Sequence, residues 1–64
     1  MIIKTITIER AASPVGWFLV EMHNETGEAY AAAWESAEVA LADADDLKRT
    51  YRPAMIIDRT GGAI

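Results

Sequence analysis

The residues with chemical reach are few. His23 is the only histidine and there is no cysteine, so thiolate catalysis and thiolate metal sites are excluded. A serine–histidine–aspartate device would need His23 beside Ser13 or Ser36, because nucleophile and base must meet at hydrogen-bond distance. Ser13 precedes Pro14 in a turn, and Ser36 stands where a helix cap is expected. Asp43, Asp45 and Asp46 lie close together, but carboxylates that do acid–base work need a raised pKa, and Asp45 and Asp46 read as solvated. The same run begins like a calcium loop, yet it has no glycine at the sixth position and no glutamate at the twelfth. Gly61-Gly62 is not followed by the Lys-Ser/Thr of a phosphate loop. The expectation is a non-enzymatic protein with no catalytic residue, no cofactor and no metal.

The elements that must position these residues can be read from hydrophobic spacing. Residues 2–10 alternate, with Ile6 and Ile8 set against Thr5, Thr7 and Glu9, which predicts a strand. Ala11-Ala12-Ser13-Pro14 breaks it. Residues 15–23 form a second strand with Phe18, Val20 and Met22 on one face. Trp17, Leu19, Glu21 and His23 lie on the other, and the polar pair turns that face outward. Trp17 and Leu19, with Glu21, either simply cover sheet surface or form a secondary contact patch. Asn24-Glu25-Thr26-Gly27 predicts a hairpin turn.

Residues 28–34 fit two patterns. As a strand, Tyr30, Ala32 and Trp34 share a face; as a helix, Tyr30 and Trp34 fall in phase with the segment that follows. Ser36 as an N-cap and Glu38 in the first turn favour a strand ending near Trp34. A helix then runs from about Ala37 to Tyr51, with Ala37, Ala40, Ala44, Leu47 and Tyr51 on one arc and Leu41 at its edge. Arg52-Pro53 ends it. Residues 54–58 form a short last strand, and residues 59–64 a loose tail. The result is a single α+β domain over residues 1–64, ordered β-β-β-α-β, with one helix on one face of a mainly antiparallel sheet of three to four strands.

Ten acidic residues face six basic ones, a net charge of −4. Nucleic acid is read through a basic footprint, so no direct nucleic-acid binding is expected. A basic protein surface is the fitting partner. A chain of 64 residues buries little surface, so tight packing, oligomerisation or a partner must help it, and a monomer or weak homodimer is expected. The N-terminus alternates too soon for a signal peptide. No apolar run approaches the ~18–20 residues of a membrane helix. The lack of cysteine suits a cytoplasmic location.

Two readings of the acids stand side by side. Acids early in the helix and bases late complement the helix dipole, and Asp45 with Arg49 is an i,i+4 pair. A solvated face explains Glu38, Asp45, Asp46 and Arg49 with no further role. Alternatively, Glu38 and Asp45 lie seven residues apart on one face, ~10.5 Å along the axis. Three phosphate steps along a duplex strand advance ~10 Å. With Glu35, Asp43 and Asp46 widening the stripe and Glu28 extending it, the ridge would mimic a nucleic acid.

In its size, lack of cysteine and acidic segment from Glu35-Ser36-Ala37-Glu38 through Asp43-Ala44-Asp45-Asp46, the chain resembles the small acidic anti-CRISPR proteins of phages. That resemblance implies stoichiometric inhibition of a CRISPR effector in the cytoplasm of an infected bacterium. The implied partner is a Cascade subunit, of type I-C, whose target-DNA surface would be occupied. The chain is also similar to HicB-like antitoxins through Gly16-Trp17 and Ser36-Ala37-Glu38-Val39-Ala40. It lacks their glycine-rich proline turn and an appended DNA-binding segment. That likeness implies capping of a basic toxin RNase. A third expectation is an oligomerisation domain using the open sheet face at Trp17 and Leu19.

Overall fold

The computed structural model describes residues 3–52 and 54–62, apart from the side chain of Lys4. The elements run β1 (Ile3–Arg10), β2 (Phe18–Asn24), β3 (Gly27–Trp34), α1 (Ala37–Thr50) and β4 (Met55–Arg59). They form the expected α+β arrangement, with the four strands in the spatial order β3-β2-β1-β4. Both hairpin-connected pairs are antiparallel. The last strand lies parallel to β1, with Ile6 beside Ile56 and Ile8 beside Asp58.

Parallel pairing follows from the chain's route. After β3, at one edge of the sheet, the helix carries the chain over one face to the opposite edge, as a parallel pairing requires. α1 packs on all four strands, chiefly β1 and β2. Ile6, Ile8, Val20, Ala40 and Ala44 are fully enclosed between the two layers. Alanine at positions 40 and 44 lets the helix backbone come close to the sheet. Leu41, Leu47 and Tyr51 pack around that contact, with Tyr30, Trp34 and Ile56 on the sheet side.

Local chemistry sets the boundaries. The Asn24 side-chain oxygen accepts from the backbone N–H of Thr26 at 2.9 Å and of Gly27 at 3.0 Å, which closes the β2–β3 hairpin. Gly27 has φ 138°, a conformation open to glycine and strained for other residues. Ser36 caps α1: its hydroxyl accepts from the Val39 N–H at 3.2 Å, and its carbonyl accepts from Ala40 N–H at 3.1 Å. Thus residues 27–34 are a strand, and the alternative of one long helix is not formed.

Three boundaries differ from expectation. Val15 and Gly16 lie in the turn before β2, where the Trp17 N–H donates to the Pro14 carbonyl at 3.3 Å. Val15 is 91 % exposed at the tip of that turn. The helix ends at Thr50 with Tyr51 as its cap, its N–H donating to the Leu47 carbonyl at 2.8 Å; Pro53, expected to stop the helix, lies outside the described residues. The tail is not loose at its start. Arg59 belongs to β4, and Thr60 is buried, donating from Oγ1 and N–H to Asp58 Oδ1 at 2.7 and 2.8 Å. Arg10 reaches across to the same place. Its Nε donates to the Thr60 carbonyl at 2.8 Å, and its guanidinium lies over the Phe18 ring at 5.6 Å.

Candidate functional site

The acids divide between the two faces of the molecule. On the helix side, Glu35, Glu38, Asp45 and Asp46 are exposed. Asp46 forms an ion pair with Arg49 one turn on. Asp46, three residues before Arg49, takes the place expected of Asp45. Among the described residues Asp45 is thereby left without a cation at ion-pair distance, and the part of the ridge without an ion pair runs from Glu35 through Glu38 to Asp45.

Asp43 departs from the expected stripe. One of its oxygens, Oδ2, accepts from the Tyr30 hydroxyl at 3.1 Å and from the Trp34 indole N–H at 3.0 Å. The carboxylate is half-buried between helix and sheet, and it ties α1 to β3. Burial first, then the hydrogen bond and charge of Asp43, hold the Tyr30 hydroxyl above the ordinary tyrosine range. Asp43 therefore has a structural role and is withdrawn from the outward ridge. The strand reading puts Tyr30 and Trp34 on one face, and the structure turns that face towards the helix. Both carry polar tips that need partners when half-buried.

The opposite, uncovered face of the sheet carries a second group of acids. Register places Glu9 opposite Leu19, Thr7 opposite Glu21, and His23 opposite Glu28. Glu9, Glu21 and Glu28 thus lie on one diagonal across β1, β2 and β3. Side-chain hydrogen bonds from Glu9 and then Glu28, aided by burial and by the two like charges, raise the Glu21 carboxyl to about 7. A hydrogen bond between carboxyl groups requires a proton on one of them, so both neighbours favour the protonated form of the central member. Thr7 Oγ1 and His23 Nε2 lie 3.4 Å apart beside it. Glu28 belongs to this diagonal and not to an extension of the helix ridge. Leu19 is half-buried on the same open face, two residues from Glu21, whereas Trp17, also half-buried, lies ahead of β2 and is not joined to that patch by the strand register. In sequence Glu21 and Glu28 belong to separate expected patches and Glu9 to none; strand register joins the three. The signal was the β1 alternation, which puts Glu9 on the outward side with Thr5 and Thr7.

Positive charge collects elsewhere. Lys48, Arg49 and Arg52 line an open basin of about 550 Å³ at the C-terminal end of α1, floored by Ala54 and Met55. A smaller cleft of about 330 Å³ lies between Trp17, Ala33, Trp34, Glu35 and Val39. The molecule is thus polarised along its helix, acidic at the start and basic at the end. Comparison of the chain with family models, curated proteins and solved structures returned no match. Among the described residues, no helix is long and apolar enough to cross a membrane.

Proposed function

We propose that this protein is a non-enzymatic inhibitor whose acidic surface occupies a basic, nucleic-acid-binding surface of another protein. The observation that carries the reading is the distribution of counter-charge. Asp46–Arg49 is the one ion pair among the described residues. Among the described residues, Glu35, Glu38 and Asp45 stand exposed with no cation at ion-pair distance. Glu38 and Asp45 on the helix, with Glu35 just ahead of its cap, are a suitable substitute for phosphates, because the helix backbone already sets the spacing of their attachment points. Their association with a basic groove would be steered by charge and weakened by salt.

The partner class proposed is a CRISPR effector, a type I-C Cascade complex, with blocked binding of target DNA as the consequence. This follows from the resemblance to small acidic anti-CRISPR proteins. A basic RNase toxin is the alternative target, since net charge suits both. The open sheet face is a weaker candidate for face-to-face self-association, because stacking two copies brings the Glu9–Glu21–Glu28 diagonals together. The test reverses two ridge charges, Glu38→Lys with Asp45→Lys, and measures affinity for purified Cascade and for a basic toxin RNase in parallel. Loss of Cascade binding by about tenfold or more, with an unchanged circular-dichroism spectrum, is expected. Unchanged Cascade affinity overturns the reading, and binding only to the toxin transfers it to the antitoxin alternative.

A further inference from the structure

The two edges of the sheet are not protected alike. β4 is five residues long and carries Asp58 and Arg59, and its end is held by the Thr60 contacts. β3 is eight residues long and has one charged residue, Glu28, near its start. It contains no lysine and no proline. An edge strand of this kind offers a row of unpaired backbone donors and acceptors, which natural proteins usually block with charge, proline or a covering segment. The irregularity in its pairing with β2 lies between Met22 and His23, so the stretch from Tyr30 to Trp34 is regular.

That stretch, Tyr30-Ala31-Ala32-Ala33-Trp34, is nearly a palindrome of sizes centred on Ala32. Laid antiparallel against itself with Ala32 on the two-fold axis, it pairs Tyr30 with Trp34 of the other copy on the helix side. Ala31 meets Ala33 of the other copy on the open side. Every pair joins an aromatic to an aromatic or a small residue to a small one, with no like-charge pair among them. The Asp43 hydrogen bonds already fix Tyr30 and Trp34, so little side-chain freedom is lost.

We propose that β3 is a homodimerisation edge, pairing antiparallel with β3 of a second copy to form a continuous eight-stranded sheet. The two-fold axis is normal to the sheet, so both helices lie on one face. Each helix sits over β1 and β2, four strand spacings of ~4.8 Å from its mate, or about 19 Å between axes, and the helices do not collide. Because each copy is acidic, and Glu28 and Glu35 flank the seam, association strengthens as salt screens the repulsion.

Sedimentation equilibrium on the intact chain, from about 10 µM to 1 mM protein and from about 50 to 500 mM salt, tests this. The mass is expected to double with concentration, at lower concentration in higher salt. Ala31→Lys with Ala33→Lys, and separately Ala31→Glu with Ala33→Glu, place like charges across the seam on exposed positions. Each variant is expected to keep its circular-dichroism spectrum and sediment as a monomer. An equimolar mixture of the two restores the dimer. Met55→Lys, exposed on the open side of β4 at the opposite edge of the sheet, leaves the mass unchanged. A parent monomeric throughout, a dimer that survives either charged pair, a mixture that stays monomeric, or a dimer lost in the Met55 variant overturns the proposal.

Discussion

At the residue scale, Glu21 and Asp43 show how the same side-chain chemistry serves different ends. Glu9 and then Glu28 push the Glu21 carboxyl of the folded protein up to about 7 from an ordinary 4.5. Between those values the folded state holds more proton than the unfolded one, so this group's contribution to stability is present at low pH and is lost as pH rises towards 7 and beyond. Glu21→Gln keeps a hydrogen-bonding side chain and removes the titration. Thermal melts at pH 5 and pH 8 are expected to converge in this variant relative to the parent, mainly through a higher melting temperature at pH 8. An undiminished gap would show that Glu21 does not sense the diagonal. Asp43 is the opposite case, an acceptor shared by two half-buried donors. Asp43→Ala leaves the Tyr30 hydroxyl and Trp34 indole without that partner and is expected to cost about 1–3 kcal/mol in urea unfolding. Asp43→Asn retains an acceptor oxygen and is expected to cost less. Equal and negligible losses in both would contradict the bridging role.

At the element scale, the strands and helix were legible because their periods are strong. The alternation of Ile6 and Ile8 with threonines, and the spacing of Ala37, Ala40, Ala44 and Leu47, each fit one period well. The cap at Ser36 resolves the ambiguity of residues 28–34, since a cap interrupts any helix extending back to Glu28. Ser36→Ala removes the hydroxyl that accepts from Val39 N–H and is expected to cost about 1 kcal/mol, with amide exchange rising first in residues 37–40. No change in exchange there would contradict the capping role. Less was legible where contacts join residues far apart in sequence. The parallel position of β4 depends on which edge the helix delivers the chain to, and no local pattern encodes that. Thr60 looked like part of a loose end because its partners, Asp58 and Arg10, come from the turn chemistry and from the far side of β1. The start of β2 was read too early because Val15 and Trp17 fit an alternation that the turn at Pro14–Gly16 interrupts.

At the scale of the whole molecule, charge is sorted while the core is shared. One small apolar layer suffices to hold α1 on the sheet. The acids left over lie on the outer helix face and along the open sheet face, with the helix cations gathered at its C-terminal end. The sequence contained the ridge from Glu35 to Asp45. It did not show that Asp43 turns inward or that Asp46 is paired, since both depend on what each side chain meets. The ridge that results is narrower than the full acidic run and is centred towards the helix N-terminus. If that ridge substitutes for phosphates, the protein and a target duplex must compete for one surface. The most direct measurement is the affinity of this protein for purified type I-C Cascade at increasing concentrations of target DNA. A proportional rise in the apparent dissociation constant, with no ternary complex, is the expected result. Simultaneous binding of DNA and this protein to one Cascade particle, with affinity unchanged, would contradict the account.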